Sequence, residues 1–318
     1  MIRHLLAASA LVAGPSFGQA ITSAKPHSPA ITAKPKDFGS SGQIAYGSTK
    51  NVHALRAMVA FPLRTAEKPI VISDIIADDA RDFIAPEKGK PTTINKVIVE
   101  RVEAKVGKRG IYIRGDSADW TIRDFRFTGS TPRTDSSIPV GIAVNGTAHN
   151  ILIERGHLAD FRTNWPANKY ANGDCVSTER GNFNVTIRKV ACESPSDGGF
   201  DLKSSNTRLD DLSVTNAGHY SYRLWAQGTA GTLTSINPSW GHVQATSLTT
   251  DWIIDKLIAI GDKPLVVFGK EGGKISVRSC DLSRWTGTER VKGEGSVTFG
   301  PTCMISKRKN SRATNSAT

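Results

Sequence analysis

The chain lacks three features by which functional classes are often recognised. It contains no Cys-x-x-Cys pair, so metal motifs of that kind are excluded. Beyond its first 20 residues it has no apolar stretch that approaches the length of a membrane span. It also contains no recognised nucleic-acid-binding motif. We therefore expect neither a membrane span nor a nucleic acid partner.

The N-terminal residues are typical of a secretory signal peptide. A basic start with Arg3 and His4 precedes the apolar run LLAASALVAG, and small residues end the segment near Ala20. We therefore expect a secreted or periplasmic protein with residues 1–20 as its signal peptide. The rest of the chain divides into four predicted segments: a flexible leader at 21–50, an N-terminal cap at 51–92, a repeat domain at 93–303 and a basic disordered tail at 304–318.

A short apolar strand pattern returns about every 22 residues through the repeat domain. One apolar anchor marks each copy: Val99, Ile122, Ile153, Ile187, Leu209, Leu233, Ile254, Val277 and Val297. In six copies a second strand anchor lies 11 residues earlier, as Ile111 lies before Ile122. A constant pair of strands per repeat predicts an all-β chain folded as a single-stranded, right-handed parallel β-helix (a solenoid) of about eight rungs. An ordinary β-sandwich with coincidental spacing is the alternative.

Alternation along the earlier strand predicts which side chains point out of the coil. The outward positions, taken rung by rung, are Tyr112, Arg114, Ala143, Asn145, Ser177, Glu179, Asp201, Lys203, Arg223 and Trp225. The turns that enter these strands add Asp174, Asp197 and His219. Such residues can simply be the solvated face of a solenoid, but charged and aromatic types are concentrated in three consecutive rungs. This concentration favours a functional site.

Two long repeats enlarge the same side of the predicted coil. About ten extra residues precede the strands that begin near Gly141 and Asp174, in the segments GSTPRTDSSIPV and DFRTNWPANKYANG. Loops that interrupt a regular scaffold commonly build its binding site. We therefore expect them to wall a groove, with Trp165, Lys169 and Tyr170 available to line it.

The motifs NGDCVSTERG, SDGGFDLKSSN and YSYRLWA resemble the pectate-lyase-like superfamily, which includes pectate lyases, alginate lyases and polygalacturonases. The resemblance covers about residues 93–300. It implies a lyase pattern in which acidic side chains hold calcium, a lysine follows them and an arginine stands one rung further along. Lys203 and Arg223 have that spacing.

This resemblance predicts a polysaccharide lyase that removes the C5 proton of a uronate by β-elimination. Lys203 would be the base, Arg223 a second base or a clamp on the substrate carboxylate, and His219 the proton donor to the leaving oxygen. Calcium or an arginine would stabilise the enolate-like transition state. The candidate calcium ligands are Asp174, Glu179, Asp197 and Asp201, with Asn145 as a further one. The candidate substrate-binding residues are Asn145, Trp165, Tyr170, Arg180, Tyr222 and Trp225.

The formal net charge of +12 supports an acidic polysaccharide as substrate, because a basic protein attracts polyanions over long range. Two other functions remain open. A polygalacturonase-type hydrolase would use Asp174 with Asp197 and Asp201 as acid and base, although Gly198 stands where that family has a second adjacent aspartate. A non-catalytic carbohydrate-binding β-helix would use the groove without turnover, and an epimerase would share the lyase's proton abstraction. We expect a monomer in each case.

The four cysteines allow two interpretations. Cys280 and Cys303 lie 23 residues apart, about one rung, and Cys175 and Cys192 fall within one rung. The spacing fits either buried thiols or disulfides.

Overall fold

The computed structural model describes residues 69–85, 93–130, 138–164 and 169–304. In this part of the chain the structure is all-β, apart from one short 3₁₀ helix at Pro301–Met304. The strands are β1 (Ile70–Ile84), β2 (Val97–Ile113), β3 (Ala118–Gly129), β4 (Val140–Val144), β5 (His149–Ala159), β6 (Asp174–Thr178), β7 (Phe183–Glu193), β8 (Phe200–Leu202), β9 (Thr207–Thr215), β10 (Tyr220–Leu224), β11 (Gln227–Ile236), β12 (Gly241–Ala245), β13 (Asp251–Ile260), β14 (Val266–Phe268), β15 (Lys274–Asp281), β16 (Val291–Lys292) and β17 (Ser296–Phe299).

The strands stack in two parallel ladders that run the length of the coil. The odd-numbered strands from β3 to β17 pair with one another, and the even-numbered strands from β4 to β16 form the second ladder. Strand β2 serves both, because its first part pairs with β3 and its last part with β4. This is the predicted parallel β-helix, with about nine turns. Strand β1, in the predicted cap, pairs in parallel with β2 and so adds a turn.

The predicted register of the even-numbered strands is confirmed. Ile111, Ile142 and Val176 lie side by side on successive turns, and the same inward column continues through Phe200 and Tyr222. These side chains are fully buried, and each covers the one below it. The column therefore forms the floor beneath the outward-facing residues.

The register of the odd-numbered strands is confirmed in its first part and wrong at two anchors. Ala230, not Leu233, lies beside Leu209, and Phe299, not Val297, lies beside Val277. Leu233 is also buried, three residues further along its strand. The sequence pattern marked Leu233 as the anchor because the inward alanine at 230 gives a weaker apolar signal than the leucine.

Left-handed backbone conformations mark the corners of each turn. Asp119, Asn150, Asn184 and Asn206 occupy one such corner on four successive turns, with φ between 49° and 60°. Asn and Asp tolerate this region better than other residues with a Cβ atom. Their side chains are also hydrogen bonded from turn to turn, with Asn150 donating to Asp119 and Asn184 donating to Asn150, each at 3.1 Å. These side chains thus form a ladder of hydrogen bonds along the corner.

A column of alternating charge stands on the outer face of the odd-numbered ladder. Glu100, Arg123, Glu154 and Arg188 lie in register on successive turns. Arg188 Nε donates to the buried Glu154 at 2.7 Å. Burial acts to raise the pKa of Glu154, but the hydrogen bonds from Arg188 and Arg155 leave it below its ordinary value. The column ties neighbouring turns together.

All four cysteines are paired in disulfides, Cys175 with Cys192 and Cys280 with Cys303. The first joins β6 to β7 within one turn, beside Asp174, and the second ties the 3₁₀ helix to β15. Both are compatible with an extracellular location, since disulfides persist in oxidising compartments. No helix among the described residues is long and apolar enough to cross a membrane. Residues 1–68, which contain the predicted signal peptide and leader, and the tail from 305 lie outside the described residues.

Candidate functional site

The candidate site lies on the outer face of β6, β8, β10 and β12. Ser177, Asp201, Arg223 and Gln244 form one column in register across these four strands, as the alternation predicted. Asp174 begins β6, while Asp197 and His219 stand in the turns just before β8 and β10. Backbone bonds from Asp197 to Gly173 and from His219 to Asp197 stack these turns above one another.

Asp197 is the most heavily hydrogen-bonded carboxylate of the site. Its side chain is 2% exposed. Oδ1 accepts a hydrogen bond from the Tyr170 hydroxyl at 2.7 Å and lies 2.8 Å from His219 Nδ1. Oδ2 accepts one from Arg223 Nη1 at 3.3 Å. This donor set holds Asp197 in place and joins three different turns through one side chain.

Asp174 is a buried carboxyl group whose environment favours the protonated form. Its Oδ1 accepts a hydrogen bond from the Gly198 N–H at 2.9 Å. Burial, followed by the charges of Asp197 and Asp201, raises the pKa of Asp174 well above its ordinary value. A Cβ atom at position 198 would lie 3.1 Å from that same Oδ1. Glycine therefore lets the backbone approach the carboxyl group where the polygalacturonase pattern has an aspartate.

Asp201 completes what we call the carboxyl cluster, formed by Asp174, Asp197 and Asp201. Its Oδ1 accepts a hydrogen bond from Trp225 Nε1 at 2.6 Å. Its Oδ2 lies 3.7 Å from Lys203 Nζ and 3.8 Å from Arg223 Nη1. Burial raises the pKa of Asp201 in spite of these two cations.

Arg223 is the cation at the centre of the site. Besides Asp197, it reaches Gln244, whose Oε1 accepts from Nε at 3.1 Å. Burial acts to lower its pKa, but the charges of Asp201 and Asp197 leave the pKa of Arg223 raised. The guanidinium is therefore a permanent positive charge, which argues against the predicted role of Arg223 as a base and fits that of a clamp.

Lys203 lies beside the cluster as a hydrogen-bond donor. Its Nζ donates to Glu179 Oε1 at 2.8 Å and lies 5.7 Å from the centre of the Trp225 ring. A lysine whose Nζ donates to Glu179 is engaged with that carboxylate rather than available to a substrate. The contact therefore argues against Lys203 as base, the role that the lyase resemblance implied.

An aromatic platform, formed by Tyr170, His219, Tyr220 and Trp240, borders the other side of the cluster. Ring centres are 3.8 Å apart for His219 and Trp240 and 4.4 Å apart for Tyr170 and His219. Burial and then the charge of Asp197 raise the pKa of Tyr170, which keeps its hydroxyl protonated as a donor. Trp240 was missed at the sequence level. The backbone N–H of Trp240 donates to the backbone carbonyl of His219, so the repeat itself could have placed Trp240 one turn above that residue.

Two predicted substrate-binding residues, Tyr222 and Asn145, do not contact the carboxyl cluster. Tyr222 is fully buried, and its hydroxyl donates to the carbonyl of Thr234 at 2.8 Å, so it belongs to the core. That prediction was wrong because Tyr222 occupies the inward register. Asn145 lies one turn below Glu179 and, among the described contacts, its side chain does not join the cluster. Trp165 lies outside the described residues.

The predicted calcium ligands do not converge on a common point. Among the described residues, no group of three or more His, Cys, Asp or Glu side chains is placed to hold a metal ion. Glu179 is paired with Lys203 and Asp197 with Arg223. A calcium ion needs six to eight oxygen ligands, and this arrangement does not fit it. Calcium, which the lyase resemblance implied, stays an untested prediction and is not part of the proposed function.

Comparison with known proteins finds no matching family model, no matching curated protein and no matching solved structure. The parallel β-helix is a fold that includes polysaccharide-active and polysaccharide-binding proteins. Function must therefore be argued from the side chains of the site itself.

Proposed function

We propose that this chain is an exported glycoside hydrolase that cleaves an acidic polysaccharide, with Asp174 as general acid and Asp201 as general base. The observation that carries the proposal is the buried carboxyl group of Asp174, whose pKa is raised by burial and by two neighbouring carboxyl groups. The hydrolase was the second of the functions that the sequence left open, after the lyase.

A glycosidic bond needs a proton on its leaving oxygen, and a carboxyl group can supply it only if it is still protonated at working pH. The environment of Asp174 favours the protonated form through burial and through the negative charges of Asp197 and Asp201, which raise its pKa. The pKa of Asp201 is raised as well, but two cations oppose that rise, whereas the carboxylates beside Asp174 add to it, so Asp174 is the better acid.

The base must accept a proton from water, so it must be ionised when the acid is not. Asp201 meets this need better than Asp174, because Lys203 and Arg223 both face its Oδ2. The two carboxyl groups also interact, so that a proton on Asp174 favours a charge on Asp201. Asp197 would act as a positioning residue, because it anchors Arg223, His219 and Tyr170.

An acidic polymer suits the cations at the edge of this site. Arg180 is exposed and lies 5.7 Å from the Trp225 ring, on which Lys203 and Arg223 also converge. The two disulfides support an exported protein.

β-Elimination is the second candidate, favoured by this same row of cations, which could neutralise a uronate carboxylate. It needs a base that can take the C5 proton. Lys203 donates to Glu179, and Tyr170 holds its proton. Hydrolysis does not require Lys203 or Tyr170 as a base, so neither contact opposes it.

The proposal is tested by incubating the purified protein with pectate, alginate, hyaluronan and bacterial exopolysaccharides, and by following both reducing ends and ultraviolet absorbance. Hydrolysis gives reducing ends without the absorbance of a conjugated double bond. Asp174→Asn and Asp201→Asn should each lower kcat by at least about 100-fold, the usual contribution of a general acid or base. Asp255→Asn, on the opposite ladder and exposed, is the matched control. A rise in absorbance would replace this proposal with the lyase, and binding without either signal would replace it with a non-catalytic solenoid.

A further inference from the structure

The site on the outer face of the even-numbered ladder has two ends of different chemistry, with the carboxyl cluster between them. One end is the aromatic platform. The other, which we call the cationic end, consists of Arg180, Lys203 and Trp225. The two ends are offset along the strand direction, since Trp240 stands just before β12 and Trp225 just after β10.

The aromatic platform offers exposed aromatic rings to the solvent. Trp240 is 46% exposed and Tyr170 42% exposed. Trp240 is supported by His219 and lies edge-on to Tyr220 at 5.7 Å and to Tyr170 at 6.0 Å. Aromatic side chains that are packed from several sides supply rigid contact area at low entropic cost. Such a surface suits the apolar face of an uncharged sugar ring.

The cationic end has the opposite character. The guanidinium of Arg180 and the ammonium of Lys203 each lie 5.7 Å from the Trp225 ring centre. Lys203 is paired with Glu179, whereas Arg180 forms no ion pair within the described part of the chain. An exposed arginine of this kind suits a carboxylate or sulfate on a sugar, because its fork of donors can bind two oxygens at once.

Six residues separate the level of His219 and Trp240 from the level of Trp225 along β10, which corresponds to roughly 20 Å in an extended strand. A short oligosaccharide can therefore contact both ends only by lying along the strand direction. In that position it passes over the carboxyl cluster.

We propose that Trp240 forms a subsite for an uncharged sugar and Arg180 a subsite for an acidic sugar, so that the substrate is a heteropolymer in which the two alternate or adjoin. The inference rests on the proposed function in taking the carboxyl cluster as the point of cleavage. It goes further in naming the order of sugars around that point. A polymer made of one kind of sugar fills one end well and the other poorly.

The test is isothermal titration calorimetry with three hexasaccharides, in an Asp174→Asn background that limits turnover. The probes are a hyaluronan hexasaccharide, which alternates acidic and uncharged sugars, a galacturonate hexasaccharide, which is acidic throughout, and cellohexaose, which is uncharged. We expect the hyaluronan probe to bind most tightly. Trp240→Ala should weaken it about tenfold, or about 1.4 kcal/mol, and weaken the galacturonate probe less than about twofold.

Arg180→Ala should weaken both acidic probes about tenfold and leave cellohexaose unchanged. Phe183→Ala is the matched aromatic control, since Phe183 stacks on His149 on the opposite ladder, and Arg278→Ala is the matched cationic control. The proposal is overturned if the hyaluronan probe binds no more tightly than the other two, or if Trp240→Ala and Arg180→Ala weaken all probes alike. If Asp174→Asn still turned the substrate over at the wild-type rate, the catalytic assignment would be refuted. The proposal of two subsites would not be affected, because it is judged from the relative affinities of the three probes.

Discussion

The buried His242 leads to a quantitative prediction of how the stability of the coil depends on pH. Its ring is fully buried, and Nδ1 lies 2.6 Å from the Ser235 hydroxyl. Nε2 is buried without a hydrogen-bond partner among the described residues. Burial lowers the pKa of His242 to about 4 in the folded protein, against about 6.5 for an unfolded chain.

This difference makes the folded state less stable in acid. The unfolded chain takes up the proton as pH falls below about 6.5, whereas the folded protein does so only near pH 4. The contribution is therefore complete above the unfolded pKa and is lost as pH falls towards the folded pKa. Linkage gives a loss of about 3 kcal/mol at pH 4 relative to pH 7.

The assay is urea unfolding at pH 7 and at pH 4, with the disulfides intact, on the wild type and on His242→Gln. We expect the wild type to lose about 3 kcal/mol more between the two pH values than the variant does. The comparison matters because Asp174 and Asp201 act in the opposite direction, since their raised pKa values favour the folded state in acid. Equal losses in both proteins would refute the reasoning, because they would show that His242 carries no such shift.

Three further predictions concern the corner ladder, the charge column and the disulfides. Asn184→Ala should lower the free energy of unfolding by about 1 kcal/mol in urea denaturation, because it leaves a Cβ residue without a side-chain hydrogen bond in the left-handed region; an unchanged midpoint would contradict this. Glu154→Gln should cost about 1–2 kcal/mol in the same assay, whereas the exposed pair of Asp255 should be worth less than about 1 kcal/mol, and equal costs would show that burial does not matter here. Replacing Cys175 and its partner by alanine should cost about 3 kcal/mol for a separation of 17 residues and should lower kcat more than loss of the other disulfide does, because Cys175 adjoins Asp174.

Most of the architecture could be predicted from the sequence, because inward side chains repeat with the period of the coil. Large inward residues such as Ile142, Val176 and Phe200 gave the register of the even-numbered ladder directly. The same reasoning failed at Ala230, where the inward residue is small, and at Phe299, where Val297 was marked instead. Size makes a core position visible in a sequence, and alanine carries little of that signal.

The site could be predicted only in part. Alternation placed Asp201 and Arg223 in one column, and the turns placed Asp197 and His219 beside it. The ion-pair partner of each charged side chain could not be predicted in this way. The contact of Lys203 with Glu179, for example, depends on how two long side chains lie across neighbouring turns. That contact bears on the chemistry, since Lys203, the predicted base, is a hydrogen-bond donor to a carboxylate in the structure.

Trp240 was missed for a different reason. The search for function followed charged residues in the outward column, and an exposed tryptophan just before a strand lies outside that column. The disulfides also needed the structure, since only the separation of the two Cα atoms decides whether cysteines one turn apart are paired.

The most direct test of the proposed function is the product of the reaction. The purified protein is incubated with each acidic polysaccharide, with and without chelator, and reducing ends and ultraviolet absorbance are recorded on the same samples. The account predicts new reducing ends on one polymer, no new absorbance, no effect of chelator and loss of activity in Asp174→Asn. An absorbance that rises with the reducing ends and disappears with chelator would contradict it, because that result requires elimination at a metal-dependent site.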